Sequence, residues 1–209
     1  MMRDRRSLAI VGAGLTVALA MVVVVLVAIV PTPTFDDFTA GEATGWIAYT
    51  RQAGSGSPST LTIVDLGDGT TATPSVPQGT GPVGWDDDGN LLAFDHRSSR
   101  LFTIDPDDGS VLTTVTNPPG DDPWEREPGP TVWWEHRDGR MVLERADGGS
   151  TSFPAPDTYE VTVVAALGDD RFAFVDELGR LAVTGFGTDV TPMQVADDAV
   201  EWSRITAHP

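Results

Sequence analysis

The chain has 209 residues, of which 40% are hydrophobic, enough to bury the core of one ordinary domain. Its 31 acidic residues outnumber 13 basic residues, all of them arginine, and give a formal net charge of -18. This charge repels phosphate backbones, so nucleic acid is excluded as an expected partner. The lack of cysteine excludes disulfides, thiol nucleophiles and cysteine metal sites.

The N-terminal segment predicts a single transmembrane helix. Residues 8–30 carry no charge, and a helix of that length would be about 35 Å long, sufficient to cross a bilayer. Three arginines lie within residues 1–7 and acidic residues follow the apolar run. The positive-inside rule therefore places the N-terminus in the cytoplasm and everything after Pro31 outside the plasma membrane.

A cleaved secretory signal is the alternative for this segment, because Ala18, Leu19 and Ala20 resemble a small-residue cleavage site. Ten further apolar residues follow, whereas signal cores usually end after about 7 to 15 residues, which favours an uncleaved anchor. Gly14 and Ala18 form a small-residue pair at which two helices can approach each other. Such pairs are common by chance in Gly- and Ala-rich spans, so we give a homodimer little weight.

Residues 44–209 have an all-β pattern, and a proline-containing linker over 31–43 precedes them. Their apolar residues alternate or form short runs separated by glycine-containing turns. Four runs recur as predicted central strands: GWIAYT (45–50), NLLAF (90–94), TVWWEH (131–136) and RFAFV (171–175). Their centres, at Ala48, Ala93, Trp134 and Ala173, are 45, 41 and 39 residues apart. A period near 40 residues indicates an internal repeat.

Each central run has companion runs, so the repeat predicts four strands. LTIVDL, LFTID, MVLERA and RLAVTG follow the central runs, and weaker outer runs such as SVLTTV come next. Trp85, Trp124, Val163 and Trp202 fit a spacing of 39 in the lead-in runs. The pattern predicts a four-bladed β-propeller whose first blade is completed by a spare C-terminal strand over 197–205. A two-sheet sandwich and an open fragment completed by another subunit are the alternatives.

Residues 83–109, VGWDDDGNLLAFDHRSSRLFTIDPDDG, resemble the WD40-like PD40 repeat of TolB-type β-propellers. The shared pattern is a tryptophan, a DG turn, an apolar strand, and a second strand that ends in aspartate before another turn. The resemblance extends to 45–73 and 161–186, while PWEREPGPTVWW within 122–154 departs from it. It implies a protein-binding scaffold of the cell envelope without a transferred catalytic residue. The lysine-free composition is typical of actinobacteria or of salt-adapted proteomes.

Two features raise the question of metal chemistry. The acidic run DDDG at 86–89 is similar to the start of a calcium loop, but the alternating ligands and the late glutamate of that motif are missing. Asp-Gly between apolar runs instead indicates a hairpin turn. His96 and His136 follow predicted central strands and are expected at one rim of the ring, where Asp95 or Glu135 would join them. No third protein ligand is evident, so we predict no metal and no cofactor.

No pattern of an enzyme active site is present outside the apolar span. The chain lacks a G-x-S-x-G motif and a phosphate-binding loop, so the sequence predicts a non-catalytic scaffold that contacts other membrane or envelope proteins, as an accessory or assembly subunit of a larger complex. Trp133, Trp134, His96 and His136 are the candidate contact residues. Adjacent tryptophans in a strand point to opposite faces, so we expect one at the surface. The alternatives are a membrane-tethered calcium-dependent hydrolase or lactonase, and a ligand- or glycan-sensing ectodomain.

Overall fold

The computed structural model describes residues 33–52, 57–118, 131–199 and 205–208. These residues form 17 strands in four sheets and no helix, which confirms the predicted all-β class. None of the described residues forms a helix that is long and apolar enough to cross a membrane. The predicted span over 8–30 lies outside the described residues.

Each sheet has four or five strands, and most adjacent strands within a sheet are antiparallel. The first sheet has the order β17-β2-β3-β4: β2 (Trp46–Gln52), β3 (Ser59–Asp65), β4 (Thr71–Ala72) and β17 (Thr206–His208). The second follows the chain: β5 (Gly81–Trp85), β6 (Leu91–Asp95), β7 (Arg100–Ile104) and β8 (Val111–Thr116). The third has the order β15-β11-β10-β9: β9 (Val132–His136), β10 (Arg140–Arg145), β11 (Ser150–Pro154) and β15 (Gly187–Thr188). The fourth has the order β1-β16-β14-β13-β12: β12 (Val161–Leu167), β13 (Arg171–Asp176), β14 (Leu181–Gly185), β16 (Met193–Ala196) and β1 (Asp36–Asp37).

The acidic run at 86–89 forms the turn between β5 and β6. One carboxylate oxygen of Asp86 accepts the amides of Asp88 at 3.0 Å and Asn90 at 2.8 Å. Gly89 has a φ of 83°, a left-handed conformation that glycine adopts without strain. In the turn between β13 and β14, one carboxylate oxygen of Asp176 accepts the amides of Leu178 and Arg180 in the same way. The hairpin interpretation of residues 86–89 is confirmed. They connect the antiparallel strands β5 and β6, and backbone amides hold the Asp86 carboxylate.

Three apolar clusters join the sheets. The first packs Ile47 and Tyr49 of the first sheet against Val175 and Val183 of the fourth. The other two join the third sheet to the fourth and the first sheet to the second. Among the described residues, no buried apolar cluster joins the second sheet to the third. The sheets therefore pack in the order second, first, fourth, third.

Two contacts give the direction of β9 relative to β12 of the fourth sheet. His136, at the end of β9, contacts the carbonyl oxygen of Tyr159, just before β12 begins. Arg145, at the end of β10, donates to the carbonyl oxygen of Gly168, just after β12 ends, at 2.6 Å. Hence β9 is antiparallel to β12. By contrast, β17 and β5 end side by side, where the rings of His208 and Trp85 are 5.3 Å apart.

The segment TVWWEH, predicted as the central run of the third repeat, forms β9. It pairs with the strand that follows it, β10, as β2, β6 and β13 pair with the strands that follow them. The four predicted central runs thus all form strands, at the predicted spacing. The lead-in run predicted near Trp124 lies outside the described residues.

The C-terminus joins the first sheet, as predicted, but through later residues than 197–205. Strand β17 pairs with β2, and His208 lies opposite Trp46. Within the predicted strand, Ala199 forms an isolated bridge with Arg51. The pairing is confirmed, and the paired strand lies nearer the chain end than predicted.

The predicted linker over 31–43 contributes to the fold from Pro33 onward. Strand β1 pairs in parallel with β16. Phe35 packs against the cluster of the third and fourth sheets, and Phe38 packs against the cluster of the first and fourth. The prolines and acids of this segment suggested a stalk, but its two phenylalanines bury enough apolar surface to hold it on the domain.

Candidate interaction surface

Strand β9 carries both adjacent tryptophans at the protein surface. It pairs with β10 on one side, and no strand of the described residues pairs with its other side. Trp133 is 42% exposed and Trp134 is 41% exposed, which places them among the most exposed large apolar side chains. The structure thus exposes both tryptophans where the sequence predicted one.

The ring of Trp133 is held by polar neighbours. Trp133 lies opposite Glu144 in the β9–β10 register, and its indole nitrogen donates to a Glu144 carboxylate oxygen at 2.9 Å. The guanidinium of Arg137 lies between Glu135 and Glu144 and pairs with both carboxylates. These contacts fix the orientation of an exposed aromatic ring before any partner arrives, which lowers the entropy lost on binding.

The turn between β9 and β10 produces this register. Asp138 and Gly139 have φ values of 55° and 73°, and Arg137 and Arg140 exchange backbone hydrogen bonds across them. This is the two-residue hairpin turn that matches the twist of antiparallel strands. With the turn fixed there, Glu144 must lie opposite Trp133.

A polar concavity of about 370 Å³ adjoins the Trp133 face of the third sheet. Its lining includes Arg140, Val142, Glu144 and Ser152. Arg140 donates to the Ser152 carbonyl and hydroxyl oxygens at 3.1 Å and pairs with Asp189. Both arginines of its lining, Arg137 and Arg140, are paired with carboxylates, so the concavity extends the tryptophan surface with polar groups.

Trp134 projects to the opposite face of β9. It lies opposite Leu143, and its neighbour Val132 packs against the apolar cluster shared by the third and fourth sheets. A tryptophan therefore borders each face of β9, and the two rings do not share one face.

The two candidate histidines end their strands at the same edge of the sheets but make different contacts. His96 follows β6, is exposed, and stacks edge-on with Phe94 at 4.9 Å. His136 contacts the Tyr159 carbonyl at the junction with the fourth sheet. Within the part of the chain that the structure describes, no three histidine, aspartate or glutamate side chains are grouped to hold a metal ion.

Asp95, beside His96, is buried and held by its own turn. Its carboxylate accepts the Ser98 hydroxyl and the Arg97 amide. These hydrogen bonds, led by that of Ser98, lower the pKa of Asp95 despite the cost of burial. A carboxyl with a depressed folded-state pKa stabilises the fold above its unfolded pKa of about 3.9 and loses that contribution as the pH falls through the folded value.

We therefore expect Ser98→Ala to weaken the acid sensitivity of the fold. Without the Ser98 hydroxyl, the folded-state pKa of Asp95 rises toward its ordinary value, so protonation removes less stability. The melting temperature of the variant should be lower at pH 7 and should change less between pH 7 and pH 3. Thr113→Ala is a suitable control, because its hydroxyl contacts only Thr103 at 2.9 Å among the described partners. An unchanged pH profile in Ser98→Ala would contradict the assignment.

Comparison with protein-family models finds no match for the chain, and comparison with curated proteins finds none either. The interaction surface is therefore argued from its own geometry. Sequence analysis named Trp133 and Trp134 but missed Glu144 and Arg137, which position the Trp133 ring. The signal was available in Asp138-Gly139, since centring a two-residue hairpin on that pair places Glu144 opposite Trp133.

Proposed function

We propose that this chain is a non-catalytic, protein-binding scaffold of the cell envelope. The observation that carries the proposal is the pair of tryptophans on β9, each about two-fifths exposed, one of them fixed by Glu144. Tryptophan and arginine dominate the energy of protein interfaces, especially where their orientation is set in advance. The partner is another membrane or envelope protein that inserts apolar side chains around these rings.

We further propose that the first, second and fourth sheets are blades of a TolB-like β-propeller. Two features support it: each of these sheets contains four strands paired antiparallel in series, and the C-terminal strand completes the first sheet. Aspartate-led turns recur between strands, as at Asp65, Asp86, Asp105 and Asp176. The third sheet is then the remaining blade, in which β9 takes the place that β2, β6 and β13 take in the other sheets.

The proposed location is the outer face of the plasma membrane. Residues 8–30 would anchor the chain as a single span with residues 1–7 in the cytoplasm. An anchored domain with a strongly acidic surface is repelled from anionic lipids and stands away from them. This geometry suits an accessory or assembly subunit of a larger membrane complex.

Co-purification of the full chain from detergent tests the proposal. We expect a stoichiometric partner with the wild-type protein and at least about a tenfold loss of that partner with Trp133→Ala, the size typical of a central interface tryptophan. Leu178→Ala is the matched control, because Leu178 is an exposed apolar side chain in a turn of the fourth sheet. Melting temperatures should be similar in all three proteins. A wild-type chain that migrates alone, or a Trp133→Ala chain that keeps its full partner, would contradict the proposal.

A further inference from the structure

The outer edges of the four sheets differ in how they are protected. The fourth sheet is covered at its outer edge by β1 and the third by β15, each a parallel strand of two residues. The first sheet ends in β4, which is only two residues long. The second sheet ends in β8, which has six residues, all of them exposed. No strand of the described residues covers β8.

Strand β8 lacks the charge, proline and covering strand that normally protect an edge, and its bulge at Leu112 leaves Thr113 to Thr116 in regular pairing with β7. VLTTVT contains no charge and no proline, and three of its side chains, Val111, Leu112 and Val115, are exposed apolar groups. Natural edge strands are usually short, charged, bulged or covered, because an open edge pairs with other chains. A long, uncharged and β-branched edge is therefore suited to accept another strand.

The main chain of β8 offers alternate hydrogen-bonding groups to such a strand. The amide of Asn117 donates to the Ser99 carbonyl at 2.8 Å, which sets the alternation of the β7–β8 ladder. Thr113 and Val115 lie opposite Thr103 and Leu101 and direct their main-chain groups toward β7. Thr114 therefore directs its N–H and C=O away from the sheet.

We propose that β8 is a docking edge at which an extended, basic segment of a partner protein adds a fifth strand to the second sheet. The chain itself already uses this mode at the outer edges of two other sheets, through β1 and β15. The basic character follows from charge: Asp107 and Asp108 are exposed in the turn that leads into β8, and the whole chain carries -18. Lysine or arginine at the end of the added strand would lie beside these carboxylates.

A model peptide tests the proposal on the full chain in detergent. The probe is a dye-labelled Lys-Val-Thr-Val-Thr-Val-Lys peptide, and fluorescence anisotropy reports its binding. Two control peptides have the same length: one carries N-methyl groups on its central residues and cannot complete a strand ladder, and the other has Glu in place of both Lys. We expect the basic peptide to bind and both controls to bind at least about tenfold more weakly.

Variants of β8 test whether the peptide binds at this strand. Thr114→Pro removes the outward N–H without removing a bond to β7, and should weaken binding about tenfold, the effect of losing one main-chain hydrogen bond and its alignment. Thr114→Ala keeps that N–H and should bind as wild type does. Val115→Lys places a charge on the edge and should also weaken binding, which decides the matter if Thr114→Pro does not fold.

Trp133→Ala should bind the peptide as wild type does, because the docking edge is separate from the tryptophan surface of β9. Absence of binding to the wild type, equal binding by Thr114→Pro and Thr114→Ala, or loss of binding in Trp133→Ala would each overturn the proposal. Equal affinity for the acidic peptide would overturn its basic character.

Discussion

Replacement of Asp176 by alanine is expected to lower the free energy of unfolding by about 3–5 kcal/mol, the typical cost of breaking a buried ion pair from one side. Asp176 is fully buried. One oxygen accepts the amides of Leu178 and Arg180, both at 2.9 Å, and the other accepts Nε of Arg180 at 2.7 Å. Without the carboxylate, the guanidinium of Arg180 stays packed over the ring of Phe35, 4.2 Å from its centre, with no balancing charge.

Asp86→Ala provides a matched control for this prediction. Asp86 makes the same turn, but the residue four positions later is the neutral Asn90, so its loss leaves no buried cation. We expect it to cost about 1.5–3 kcal/mol, the size of hydrogen bonds to a charged group. Urea unfolding of the full chain at pH 7, followed by circular dichroism, measures both. In the double variant Asp176→Ala/Arg180→Ala, part of the loss should be recovered. Equal losses for the two aspartates would contradict the ion-pair argument.

These two turns also show why much of the fold could be predicted. An aspartate, two variable residues and a glycine between apolar runs specify a hairpin through contacts within five residues. Such local chemistry is visible in sequence, and the structure has a turn at each position where it occurs. The two strands on either side of Asp86, and those on either side of Asp176, can therefore be predicted from the sequence.

The cover at the outer edge of the third sheet could not be predicted in the same way. Alternation of apolar residues identifies strands such as β9, but it does not say which distant segment pairs with the outer edge of a sheet. The fourth strand of this sheet, β15, comes from a distant part of the chain, so no local repeat encodes it. Likewise, the SVLTTV run predicted an outer strand correctly, but its exposure depends on the lengths of other strands and on which edges they cover.

Deletion of residues 206–209 should be the second most disruptive change, because it removes β17. This strand pairs with β2 and contacts both β5 and β12, the first strands of the adjacent sheets. Three residue pairs are lost, at roughly 1 kcal/mol for each main-chain hydrogen bond, so we expect a loss of about 3 kcal/mol or more. Ile47 and Ala48, which have no exposed surface, would then lie at an open edge.

Tryptophan fluorescence and urea unfolding of the deletion variant measure this effect. The ring of His208 lies 6.1 Å from that of Trp46 and 5.3 Å from that of Trp85, so the deletion should expose both indoles and shift their emission to longer wavelength. His208→Ala is the control, since it removes the ring but keeps the strand, and it should cause a smaller loss of stability. A deletion variant with the unfolding midpoint of the wild type would mean that β17 does not hold the first sheet to its neighbours, and a ring closed by the chain end would no longer be supported.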